Sequence, residues 1–254
     1  MRIFALSDIH IDYDENRKWL HQLSQRDYLD DVLILAGDIS DIVTLLMEGL
    51  EVLQKRFLEV LYVPGNHDLW THRNGGGNSL EHFLLIQKIA GDYGIRMKPA
   101  HFGPVSIVPL LGWYDYSFGR PSDNLLAGWV DFRACRWPDN FDEQAITNFF
   151  VSSNEAWLAV KNETIISFSH FLPRIDVMPS SVPAEKRILY PVLGTVQLEQ
   201  QLRALGSKIH IYGHSHVNRH LSIDGTIYIN NAFGYPHELW TEKELLCAFD
   251  TDFT

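Results

Sequence analysis

Cysteine is scarce in this chain. Cys135 and Cys247 are the only two among 254 residues, so no disulfide framework is available and both read as packing thiols. Long apolar runs are missing too, since nothing approaches the roughly 20 uninterrupted apolar residues of a membrane span. The opening stretch from Met1 to Asp8 meets an acid too early for a secretory leader. A soluble cytoplasmic protein without a membrane partner is the expectation. Positive charge is short as well, with 21 Lys and Arg against 32 Asp and Glu and a net charge of −11. No Lys- or Arg-rich run supplies an electrostatic track, which argues against a long nucleic acid as partner. Internal repeats and low-complexity linkers are also absent.

What is present suits one buried core: 46% of residues are hydrophobic and 21% charged. An acidic chain that binds an anion needs a local source of positive charge. Its twelve histidines raise metal as that source. Apolar runs at Ile3–Leu6, Val32–Ala36 and Val60–Val63 read as strands, each ending abruptly in polar residues. Helical periodicity follows the first run at Trp19, Leu20 and Leu23 and joins the second and third over 42–57. Strand–helix–strand alternation predicts parallel pairing, with ligands at the carboxyl ends of strands.

Further runs lie at 105–110, 164–168 and 209–212. Two short ones at 221–223 and 226–229 flank Asp224-Gly225, a hairpin signal, and 245–249 can supply a final strand. The closing third thus looks more antiparallel than the opening third. The whole chain, 1–254, reads as one domain with an aromatic-rich insertion at about 113–140, after which Asn140 can cap a helix over 141–160. Within the insertion, Trp129 and Trp137 read as core. Gly75-Gly76-Gly77 marks a second irregular segment.

The polar residues at the run ends carry the chemistry. Asp8 and His10 stand two apart, so carboxylate and imidazole can grip one ion, although a turn-forming histidine would look the same. Asp38 after Gly37 serves equally as a helix cap or as a carboxylate bridging two cations about 3.5–4 Å apart. Asn66 offers a neutral oxygen, and His67 beside it could be a ligand or a proton donor. His170 follows one strand, and His214 and His216 follow another.

Taken together, Asp-x-His, Gly-Asp, Gly-Asn-His-Asp, a lone His and Gly-His-x-His resemble the motifs of the calcineurin-like metallophosphoesterase superfamily, over most of the chain. The resemblance implies an α/β fold: a four-layer α/β/β/α sandwich of two mixed sheets flanked by helices. It implies one divalent metal held by Asp8, His10, Asp38 and His216, and a second held by Asp38, Asn66, His170 and His214. The N/O donor set suits Mn, Fe or Zn. His67 matches the histidine that protonates the leaving oxygen, and Asp68 is expected to orient it. The reaction implied is hydrolysis of a phosphate ester by water whose pKa the metals lower toward about 7.

The sequence departs from the protein phosphatases of that superfamily. Its Gly37-Asp38-Ile39-Ser40-Asp41-Ile42-Val43 lacks their arginine, and Asp68 replaces their glutamate. A phosphomonoester dianion gains from guanidinium groups beside the metals. A small phosphodiester or pyrophosphate-type substrate is therefore expected rather than a phosphoprotein, with a phosphomonoesterase or a metal-binding interaction scaffold as the alternatives. Arg73, Tyr114 and Tyr116 are candidate substrate contacts, while Arg120, Arg133 and Arg136 read as solvated or stacked. His21, His72, His82, His101, His220 and His237 match no motif and read as surface or structural histidines.

Overall fold

A computed structural model describes residues 1–253. The run Val32–Leu35, apolar throughout, forms β2, whose side chains are fully buried on both faces, as a central parallel strand requires. It lies between β1 (Arg2–Leu6) and β3 (Glu59–Tyr62), parallel to both, and β10 (Leu246–Asp250) closes the other edge of β1 antiparallel. The connections are α1 (Asp14–Gln22) and α2 (Val43–Gln54), which pack on each other, with α3 (Ser79–Asp92) following β3 and packing on α2.

The second sheet has six strands in the order β4-β5-β6-β7-β9-β8. These are β4 (Ala100–Phe102), β5 (Val105–Pro109), β6 (Thr164–Phe168), β7 (Ile209–Tyr212), β8 (Arg219–Ile223) and β9 (Thr226–Asn230). Strands β5, β6, β7 and β9 run parallel, and the edges β4 and β8 antiparallel. The antiparallel character expected of the closing third thus holds for β8 and β10 but not for the β7–β9 pair. Asp224 and Gly225 both take positive φ, 49° and 81°, and make the anticipated hairpin turn. Two mixed sheets flanked by helices give the α/β fold that the sequence predicts. They meet where Ser7, leaving β1, bridges Ala232 beyond β9.

The insertion forms α4 (Asp123–Gly128) and α5 (Asp131–Ala134). Trp113 and Tyr114 are buried against Phe171, and the far end of the insertion hydrogen-bonds Thr71 and Ser79. Next comes α6 (Glu143–Ser153), shorter than expected at both ends. Phe141 closes a turn onto Pro138, so Asp142 rather than Asn140 caps the helix by accepting from the Ala145 N–H. Expected elements did not include α3, α7 (Val196–Leu205) or β4. Thr195 caps α7 and Gly206 ends it at φ 73°, the left-handed conformation glycine adopts without strain. Cys135 is buried as anticipated, but Cys247 faces solvent on the edge strand β10.

Asn154, fully buried beyond α6, clasps Leu111 by accepting from its N–H and donating to its carbonyl, and donates also to Gln201 of α7. Asn154→Ala orphans these groups without removing a functional side chain. It should cost about 2–3 kcal/mol, read as a lower urea midpoint at unchanged slope. An unmoved midpoint would contradict that role.

Candidate metal centre

Among the described residues, five of the seven non-glycine positions with positive φ are Asp8, His10, Asp38, His214 and His216. Such backbone costs on the order of 1–3 kcal/mol per residue and collects where side chains must be aimed. The turn after β2 is tight as well. Gly37 sits at φ 87°, and a Cβ there would lie 2.6 Å from both the Gly65 nitrogen and His170 Nδ1. A Cβ on Gly65 would lie 2.1 Å from Asp38 Oδ1. Both positions therefore exclude a side chain, and the strand ends close together.

All seven expected ligands converge. Nε2 of His10 and Nε2 of His216 are 3.2 Å apart, and His216 Nε2 is 3.2 Å from Asp8 Oδ1. On the other side, His170 Nε2 lies 3.0 Å from Asn66 Oδ1, 3.1 Å from His214 Nδ1 and 3.5 Å from Asp38 Oδ2. Donor atoms of Asp8, His10 and His216, and separately of Asp38, His170 and His214, fall within 4.8 Å of one another. His10, Asp38 and His67 form a third such group. His67 differs in being held by stacking on Trp70, at 3.7 Å between ring centroids.

The outer contacts fix which nitrogen faces inward. His216 Nδ1 meets Glu238 Oε2 at 2.6 Å, His170 Nδ1 meets the Ala36 carbonyl at 2.8 Å, and His214 Nε2 meets that of Val192 at 3.0 Å. Each therefore presents its remaining nitrogen to the centre, as metal-ligating histidines do. Asn66 is oriented likewise, its amide donating to Asp131 at 2.9 Å. Asp131 also accepts from the indoles of Trp70 and Trp129.

Electrostatics favour cations here. Asp8, Asp38, Asp68 and Asp131 are all buried at 1% exposure or less. Burial, then Asp68 and Asp8, push the Asp38 carboxyl well above its usual range. Burial opposes ionisation of Asp8 too, but His216 outweighs it and holds that carboxyl low. His216 is itself pushed down by burial yet lifted to about 9 by Asp8 and Glu238. Burial lowers His10, His170 and His214 and brings His67 to about 3, so these imidazoles are neutral at pH 7. Buried carboxylates gathered beside neutral imidazoles and one imidazolium fit bound divalent cations, because buried charge must be paired or coordinated.

Over residues 1–218 the chain matches the family described as calcineurin-like phosphoesterase. It belongs to that family. This chain is thus a metal-dependent hydrolase of phosphate esters. It is 26% identical over 271 residues to "[Acyl-carrier-protein] phosphodiesterase PptH" of Mycobacterium tuberculosis, covering 95% of this chain and 80% of that protein. The crystal structure of phosphopantetheinyl hydrolase (PptH) from the same organism superposes with a TM-score of 0.79 at 23% identity, covering 93% of this chain and 90% of that one. That likeness bears on the fold.

Three expected site residues are placed otherwise. Asp68 accepts from the N–H groups of Asp38, Ile39, Ser40 and Gly65 and from the Tyr62 hydroxyl, rather than from the His67 ring. Burial raises it to about 6 despite those donors. It ties the Asp38 turn to the Asn66 turn. Tyr114 is buried among Trp113, Phe132 and Phe171, and Tyr116 packs on Tyr114. Trp129 and Trp137, expected in the core, are both only half-buried and pack against it, Trp129 crossing the His214 ring at 85° and Trp137 crossing Trp113. Arg73 does line the pocket, bound to Asp41 at 2.9 Å.

Arg120, Arg133 and Arg136 are exposed. Of the histidines outside the motifs, His21 pairs with Glu48, His101 with Ser106, and His72 approaches Asp41 at 3.8 Å. His82 is buried in α3, and His210 of β7 lies buried between Ser167 and Ser169. Asp131, Trp70, Tyr235 and Glu238 are site residues that no motif indicates. The last two follow the family match, in an unpatterned stretch that offers no signal of its own.

The His216 proton must leave for a metal to bind, so wild-type metal affinity should climb as pH rises toward about 9. At pH 9 and above, Glu238→Ala should weaken metal binding about 10–100-fold by freeing the His216 ring. Titration calorimetry on the metal-free protein measures it. Unchanged affinity would remove Glu238 from the site.

Proposed function

We propose that this calcineurin-like phosphoesterase cleaves a phosphodiester. One observation carries the reading. The pocket over the metal centre, about 430 Å³, is lined by His10, Asp12, Tyr13, Asp41, His67, Trp70, Arg73, Val130 and Tyr235. Its single lining arginine, Arg73, is already paired with Asp41 and lies 3.8 Å from Asp12. A dianionic monoester would find no free guanidinium there, whereas a monoanionic diester needs none. The activity named for the mycobacterial relative, phosphodiester cleavage on acyl-carrier protein, supports the same class. We carry it to this chain as a small diester or a phosphopantetheinyl diester.

Asp8, His10, Asp38 and His216 would hold one cation, and Asp38, Asn66, His170 and His214 the other. When bound, divalent cations supply an acidified water and offset charge on the phosphate oxygens. The remaining work falls to the chain. Glu238, Asp131 and the carbonyls of Ala36 and Val192 aim the ligand groups. Asp38 Oδ1 accepts from the His67 N–H at 2.9 Å, tying the proton donor's backbone to the centre. Trp70 fixes the plane of the His67 ring, and Tyr13, Trp70, Val130 and Tyr235 give the pocket apolar walls. His67 is placed to give its proton to the leaving oxygen. Burial keeps it neutral in the empty pocket, and a bound phosphate anion favours the protonated form this step uses.

His67→Ala should retain the metals and lose about 100-fold or more in kcat, the usual worth of a general acid. Asp38→Asn should lose metals and activity together. Elemental analysis reads the metals. Methyl phenyl phosphate, whose phenolate gains from a proton, reads the loss at His67. Bis(p-nitrophenyl) phosphate beside p-nitrophenyl phosphate reads Asp38→Asn and the ester class. Monoester turnover far above diester turnover would overturn the diester assignment. No turnover of either with added Mn²⁺ would favour an interaction scaffold.

A further inference from the structure

Tyr235 belongs to no family motif, yet its side chain is closely confined at the pocket. Its backbone N–H donates to Glu238 Oε2 at 2.8 Å, and its carbonyl accepts from Lys243 Nζ at 2.9 Å. Its ring stacks on His10 at 4.5 Å and tilts against His216 at 4.9 Å. So held, the phenol sets its hydroxyl 3.4 Å from His67 Nε2.

The other contacts of that imidazole are of a different kind. Trp70 covers a face, and His10 meets it edgewise at 4.7 Å. These define the ring plane but do not grip a nitrogen. Among the described residues, the Tyr235 hydroxyl is the one hydrogen-bond partner of the His67 ring.

We propose that Tyr235 is a positioning residue for His67, holding Nε2 at the reacting side of the pocket before and after proton delivery. This rests on reading His67 as the acid. A hydroxyl can accept from Nε2–H and can donate to bare Nε2, so it satisfies both states of the imidazole. At 3.4 Å the contact is looser than the usual 2.7–3.2 Å and yields readily to an incoming oxygen. The proton then passes from Nε2 to the leaving oxygen as the P–O bond breaks, its electron pair staying with that oxygen. The Tyr235 O–H donates to the nitrogen left bare.

Tyr235→Phe keeps the ring stacking and deletes the hydroxyl. Aryl methyl phosphates test it, because p-nitrophenolate leaves without a proton and phenolate gains from one. In the metal-loaded enzyme, Tyr235→Phe should lose about 10-fold more kcat on the phenyl than on the p-nitrophenyl ester, a fraction of a general acid's usual worth. Metal content should be unchanged, and in a His67→Ala background Tyr235→Phe should bring no further selective loss. In the metal-free protein, the His67 Nε2 resonance, assigned by its disappearance in His67→Ala, should shift in Tyr235→Phe. Equal loss on the two esters, or an unmoved resonance, would overturn the proposal. Equal loss on the two esters in His67→Ala would instead overturn the reading of His67 as the acid.

Discussion

The structure is organised around one costly juxtaposition: buried carboxylates and imidazoles brought together at the meeting edge of two sheets. Asp8 and Asp38 are stripped of water, and the charges of Asp68, Asp8 and Asp131 all bear on the Asp38 carboxyl. Protein dipoles offset part of this. Asp68 takes up four backbone N–H groups, and Asp8 accepts the His214 N–H at 3.1 Å. What remains uncompensated is negative, and divalent cations match it in sign and position.

The scaffold serves that demand. Parallel strands deliver Asp8, Asp38 and Asn66 from one sheet and His170 and His214 from the other, so neither sheet alone makes the site. Left-handed backbone at five candidate ligand positions turns the side chains toward each other. Its strain is tolerated because the strands behind are packed on both faces. An outer layer then sets tautomers and amide orientation. Glu238 and Tyr235 draw the segment after β9 into the centre, although it lies past the family match.

Much of this was legible beforehand because strand-end chemistry is local. Asp8, His10, Asp38, Asn66, His170, His214 and His216 each sit beside an apolar run, so pattern and spacing place them together. Asp68 shows the limit: adjacency to His67 suggested a ring contact, but a 3₁₀ turn over His67–Leu69 sends the two side chains apart. Tyr114 and Tyr116 could not be told apart from core rings for a related reason, since leaving a strand end does not say which way an irregular segment turns. Glu238, Asp131 and Tyr235 act through contacts 22, 65 and 168 residues away, and no local period records such pairs. Helices α3 and α7 escaped notice beside the stronger strand and motif signals, even though Asn78 and Thr195 cap them.

Anomalous scattering tests most directly whether a pair of cations shares Asp38. Crystals grown with Mn²⁺ should show two peaks, one among Asp8, His10 and His216 and the other among Asn66, His170 and His214, both in contact with the Asp38 carboxylate. A single peak, or peaks away from these side chains, would contradict it.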